Sequence, residues 1–135
     1  MIYDEVISIR IVKSLDTIDI PIAHKLYISN YLKNISAIPF IHRVILFGSC
    51  ARGKVRKYSD IDIFITTHRE ITEDEEVFLT FHCIPDYSYE TVPTDIIVQT
   101  ESEFANHADI VGMIQNQIAK EGVDLSGLLH QRSGD

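Results

Sequence analysis

The sequence predicts an α/β domain in which a small mixed sheet carries helices packed on one side and acidic residues at one edge. Three observations lead there. Apolar runs of strand length recur at 44–47, 61–65 and 96–98, helical apolar stripes lie between and around them, and the 135 residues suit one domain. A hydrophobic fraction of 45% with 24% charged residues is ordinary for a chain that buries a core. No repeat, low-complexity tract or linker interrupts it, so residues 1–135 read as a single domain with a fraying tail at 130–135.

Taken in order, the apolar positions of 1–15 satisfy neither helix nor strand spacing. Asp19 and Pro21 can open a helix over 22–37, whose stripe is Ile28, Tyr31, Leu32, Ile35 and Ile38, and Pro39 stops it. Val44, Ile45, Leu46 and Phe47 form a buried strand that breaks at Gly48-Ser49, where a helix is expected to open. Residues 61–65 form the next strand. Thr72 and Glu75 predict a capping box for a helix through Val77, Phe78 and Phe81, ending before Pro85, with four acids in its first turn. The polar connection 86–93 carries Tyr87 and Tyr89 and is a candidate lining for a substrate site. Thr94 to Gln99 reads as a third strand. Thr100 and Glu103 predict a second capping box, and Phe104, Ala108, Val111, Ile114 and Ile118 keep helical register up to Gly122. Leu125, Leu128 and Leu129 suit a short last turn.

The chemistry concentrates in 47–65. In an extended strand Asp60, Asp62 and Phe64 share one face, opposite Ile61, Ile63 and Ile65. The two aspartates are then roughly 6.6 Å apart along the backbone, close enough to converge on a hard cation. Unpaired, they would repel. Gly48 lets a ligand approach the backbone, Ser49 offers a hydroxyl, and free N–H groups at a helix start favour phosphate. Five cations, Arg43, Arg52, Lys54, Arg56 and Lys57, lie between Ile41 and Ser59 with no acid among them. In a chain of net charge -8 that excess suits a polyanionic ligand.

Gly48-Ser49, ten residues from Cys50 to Ser59, then Asp60-Ile61-Asp62 resembles the signature of the nucleotidyltransferase superfamily of DNA polymerase beta. Ala51, Arg52, Gly53, Ser59 and Ile61 extend the resemblance to its small prokaryotic subgroup, the minimal nucleotidyltransferases. It covers about 22–125, with a motif core at about 43–99, and implies a polymerase-beta-like nucleotidyltransferase fold. It further implies a third carboxylate on a neighbouring strand. Asp95 is the best candidate because it opens an apolar strand, while Asp86 and Glu90 are rivals in loop-like settings.

The implied reaction is attack of a hydroxyl on the α-phosphate of ATP or another nucleoside triphosphate. Asp60, Asp62 and Asp95 would hold two Mg2+ ions, with Mn2+ as an alternative, about 3.5 to 4 Å apart. Asp95 would also orient the attacking hydroxyl or take its proton. Gly48, Ser49, Arg52 and Ser59 would contact the nucleotide, with Lys54 or Lys57 as further cations. Members of the subgroup resemble the antitoxin half of a pair in which the transferase adenylylates a tyrosine of a helical HEPN-type partner. Such a partner is expected here. The alternatives are transfer to a small hydroxylated acceptor and a non-catalytic antitoxin that neutralises its partner by contact.

Other chemistries have less support. The six histidines show no H-E-x-x-H spacing, and His42 and His82 read as surface or core residues. Cys50 and Cys83 form no C-x-x-C pattern, and although Cys50 sits beside a helix start that could lower its pKa, no acid or histidine partners it in sequence. An isoelectric point near 5.1 argues against broad nucleic-acid binding. No apolar run has transmembrane length and the start lacks a basic signal region, which places the protein in the cytoplasm.

Overall fold

The computed structural model describes residues 9–56, 59–85 and 92–132, the last three of them by backbone alone. Five strands form one mixed sheet: β1 (Arg10–Ile11), β2 (Ile41–Phe47), β3 (Ile61–Thr67), β4 (Thr94–Thr100) and β5 (Val123–Asp124), in the spatial order β1-β5-β2-β3-β4. The pairs β2–β3 and β2–β5 are antiparallel, whereas β1–β5 and β3–β4 are parallel. Parallel neighbours need a crossover, and the helical segment between β3 and β4 belongs to it. The expected strands at 44–47, 61–65 and 94–99 all form, each extended by a few residues. The two-residue strands β1 and β5 owe their existence to each other and to β2 rather than to local pattern.

Helix α1 (Ile22–Ile35) starts at Pro21, whose fixed backbone suits a helix entrance, and Asp19 takes no part in capping it. Its expected stripe is buried: Ile28, Tyr31, Leu32, Ile35 and Ile38 all enter the larger core, against Ile61, Ile63 and Ile65 of β3. Each such fully buried side chain stabilises the fold by about 1.5–3 kcal/mol. Tyr31 Oη donates to the Leu79 carbonyl at 2.9 Å and Asn34 Nδ2 to that of Cys83 at 2.9 Å, fastening α1 to the next helical segment.

That segment begins as expected with α3 (Glu73–Val77), since α2 is the single turn Ser49–Arg52 after β2. The Thr72–Glu75 capping box is present in both directions. After Val77 the helix widens into a π turn over Phe78–His82. Thr80 Oγ1 donates to the Glu76 carbonyl at 3.0 Å, a back-bond that bends helices. Only Leu79 is buried there, and Phe78 and Phe81 stay exposed.

The expectation of one helix from Thr100 to Gly122 is corrected to two: α4 (Glu101–His107) and α5 (Ile114–Glu121). A straight helix over these residues would run about 31 Å, past the roughly 23 Å of a seven-residue strand, and could not bring Val123 back beside Leu46. The chain instead turns at 108–113. Gly112 adopts φ 94°, and the Asn116 amide donates to the Ala108 carbonyl at 2.7 Å. Val111, expected on the buried stripe, is 84% exposed. Thr100 caps α4 by accepting from the Glu103 N–H. Gly122 does end α5, for a reason of space: a Cβ there would stand 2.6 Å from Ile45 Cγ2.

Helices α4 and α5 lie on the face opposite α1. Phe104, Ala108, Ile118 and Ala119 form a second, smaller core with Ile45 and Phe64, the residues that alternate with Val44, Leu46, Ile63 and Ile65. The helices expected on one side are thus joined by a pair on the other. A short 3-10 helix over Ser126–Arg132 closes the described chain, with Leu125 and Leu129 buried as expected. Among the described residues no helix is long and apolar enough to cross a membrane.

Candidate functional site

Strand β2 ends at Phe47, whose cross-strand partner is Asp62. The following residue, Gly48, adopts φ 72° and caps α2. A Cβ at Gly48 would collide with the Asp62 carboxylate, its Cγ being only 3.2 Å away. Glycine is required twice over, by the left-handed φ and by the carboxylate lodged against its backbone. The two halves of the sequence motif, separated by ten residues, therefore meet in space.

Asp62 is also the register partner of Asp95, across the parallel pair β3–β4. Both belong to the face that carries Phe64 and Ile97. Asp60 lies one residue before β3, exposed, and its carbonyl accepts from Cys50 Sγ at 3.5 Å. Burial pushes the Asp62 carboxyl above the usual aspartate range, the charges of Asp95 and then Asp60 push it the same way, and Arg52 opposes them. Two carboxylates acting on Asp62 against one nearby cation leave its negative charge uncompensated.

Arg52 ends α2 and reaches Glu121 of α5 at 3.5 Å, so its charge is shared between the site and that exposed pair. Ser49 opens α2, where the first N–H groups of a helix have no intrahelical acceptor. The Ser59 hydroxyl accepts from the Arg56 N–H at 2.8 Å, closing the turn ahead of Asp60. Lys54 is exposed. Lys57, Asp86, Tyr87, Tyr89 and Glu90 lie outside the described residues. The Cys50 thiol is pushed up to about 11, first by burial and then by Asp62 and Asp60, the reverse of what its helix-start position alone implied. It is a poor nucleophile.

His24 of α1 was missed by sequence reasoning. It is 1% exposed and its Nε2 lies 2.9 Å from the Ser59 carbonyl. Its only local signal is a polar residue one turn ahead of the apolar stripe, which does not distinguish it from a surface histidine.

The donor set is wholly oxygen, which fits a hard divalent cation such as Mg2+ or Mn2+ and not zinc. Among the described residues no group of three His, Cys, Asp or Glu side chains forms a metal cage. Mg2+ commonly takes one or two carboxylates and completes its shell with water and substrate phosphate, so an Asp62–Asp95 pair suits it. Two surface clefts, of about 450 and 410 Å³, flank α1 beside Lys13 and Leu128 and beside Phe40 and Phe78. Neither is lined by Asp60, Asp62 or Asp95.

Residues 28–125 match the family model of the nucleotidyltransferase domain. Among solved structures, the chain is similar to a Sulfolobus solfataricus protein provisionally assigned as a nucleotidyltransferase and determined at 1.40 Å, with 22% identity over 73% of this chain and 76% of that one and a TM-score of 0.48. No curated protein matches the chain.

Proposed function

The chain belongs to the nucleotidyltransferase domain family, and from that premise we propose that it transfers AMP from ATP to a tyrosine hydroxyl of a HEPN-type protein partner, acting as an antitoxin. The observation that carries the catalytic part is the Asp62 carboxylate, seated against Gly48 and in register with Asp95. One motif half supplies backbone N–H groups and the other supplies carboxylates, at a single place. A triphosphate and a cation are the complementary ligands.

In this reading Asp60, Asp62 and Asp95 hold Mg2+, two ions as in related two-metal sites, with Mn2+ able to substitute. When bound, the cations neutralise charge on the triphosphate and lower the pKa of the attacking hydroxyl. Asp95 orients that hydroxyl or accepts its proton as the oxygen attacks the α-phosphorus and pyrophosphate departs. Backbone N–H groups at Gly48 and Ser49 meet the β- and γ-phosphates. Arg52 leaves Glu121 for the triphosphate, a trade of an exposed pair, worth little, for a charge-assisted contact. Ser59 stays on the Arg56 N–H and stiffens the turn.

The test supplies wild type and the Asp60→Ala/Asp62→Ala protein with Mg2+, each α-labelled nucleoside triphosphate, and the co-expressed product of the neighbouring reading frame. Label moving to that protein only with wild type, and only from ATP, is the expected result. Label on a small hydroxylated acceptor instead would replace the protein acceptor. Absence of transfer with an equally tight complex from both proteins would make this a binding antitoxin.

A further inference from the structure

Asp60 has an exposed side chain and lies outside the strand ladder, yet the peptide planes on both sides of its Cα are held. The plane after it, Asp60 to Ile61, is fixed at both ends. Cys50 Sγ donates to the Asp60 carbonyl at 3.5 Å, and the Ile61 N–H donates to the Pro93 carbonyl at 2.8 Å. The plane before it, Ser59 to Asp60, is fixed by His24. Since a carbonyl only accepts, the proton is on Nε2, and the imidazole donates to the Ser59 carbonyl at 2.9 Å. Two planar peptides fixed about one Cα fix its φ and ψ, and with them the direction of its Cβ.

His24 is 1% exposed, and its Nδ1 finds no partner among the described residues. A buried nitrogen without a partner is a cost that an apolar residue would avoid. Among the described residues the ring makes one hydrogen bond, and that bond leads to the aspartate turn.

We propose that His24 is a positioning residue, whose buried ring N–H aligns the peptide ahead of Asp60 and so aims that carboxylate at the metal-bound triphosphate. This rests on the transferase reading above for its ligand, and on the structure alone for its geometry. Glutamine carries an N–H near the place of Nε2. Leucine fills similar space without one, and the asparagine amide is a bond too short to reach Ser59.

The experiment measures Mn2+ binding to the full chain from the free-ion paramagnetic signal, together with nucleotide transfer, for wild type, His24→Gln, His24→Leu, Asp60→Asn and the His24→Leu/Asp60→Asn double variant. The leucine variant is expected to weaken Mn2+ binding by about tenfold or more, as loss of a ligand's support does, while glutamine stays within about threefold. In the Asp60→Asn background the leucine change is expected to add less than about twofold, because the carboxylate it aims is gone. If leucine prevents folding, His24→Asn takes its place. An equal loss for glutamine and leucine, an undiminished leucine effect without the Asp60 carboxylate, or no Mn2+ binding by any of the proteins would overturn the proposal. A wild type that transfers no nucleotide while the Mn2+ pattern holds would remove the transferase reading and leave His24 in its role.

Discussion

Both ends of β2 and β3 gather carboxylates and cations, and they treat them differently. At the start of β2, Glu101 lies 2.7 Å from His42 Nδ1 and 3.3 Å from Arg43 Nε, and His42 packs edge-on against His68. Behind them, Asp124 accepts from the Ser126 N–H at 2.8 Å. At the other end the charges of Asp95 and Asp60 both raise Asp62, and among the described residues Arg52 opposes them. The first cluster is closed by its own partners, and the second is built to be completed from outside. Charge in a small domain becomes functional where the fold leaves it uncompensated.

Neutralising a carboxylate at the open end gives the sharpest separation. Asp62→Asn should reduce nucleotide transfer on the order of a thousandfold and yet raise the melting temperature at neutral pH. The sign follows from Asp62 being raised in the folded protein. Its ionised form costs stability once pH exceeds its unfolded pKa, so the gain should shrink as pH falls from the raised folded value to the ordinary aspartate value, and vanish below it. Transfer assays and melts across pH check both halves. A variant that lost stability along with activity would make the open end as closed as the other.

Asp95→Asn sharpens the same point without needing activity. Removing its charge should move the Asp62 titration downward, measured by carboxyl NMR of labelled protein, whereas Arg52→Ala should move it up. An unmoved Asp62 would show that the two strands do not share one field.

The closed end should respond only in stability. Burial, and next the charge of Asp124, push Glu101 up to about 7 although Arg43 lies beside it. The folded protein then holds this proton between the unfolded pKa, about 4.3, and pH 7, and that contribution is lost as pH rises through 7. Glu101→Gln should therefore gain on wild type in melts between pH 5 and pH 8, with transfer per folded molecule unchanged.

The smallest effect is expected at a third set of acids, the first turn of α3. Thr72→Ala should cost about 1 kcal/mol of stability in denaturant melts without altering transfer. Arg69 and the cap hold Glu75 down to about 2, so its contribution is present at neutral pH and lost as pH falls from the ordinary glutamate range toward 2. In melts, Thr72→Ala should weaken that loss.

What the sequence disclosed divides along local and non-local lines. The three long strands, the stripe of α1 and the Thr72 cap are written in consecutive residues, and the structure forms each; Gly48, Ser49, Asp60 and Asp62 are local as site candidates too, but Asp60 stands one residue ahead of the strand whose face it was expected to share. The turn at 108–113 was hidden because Phe104, Ala108, Val111, Ile114 and Ile118 keep helical spacing across it. Only the need to return Val123 to β2 breaks that helix. Burial of the second face and the role of His24 depend on partners 35 or more residues away in sequence, such as Ser59, and no window of neighbouring residues contains them.

The pairing of Arg10 with Val123 has a consequence for how the molecule is made. A sheet whose edge joins residues 113 positions apart cannot close until Val123 has been synthesised. The long strands and the carboxylate pair at Asp62 and Asp95 belong to the part that emerges earlier, and β5 then slots between β1 and β2 as the last piece. Contacts of such sequence separation slow folding. The nascent protein therefore holds its site residues before it holds its finished frame, with the edge of β2 open until β5 arrives.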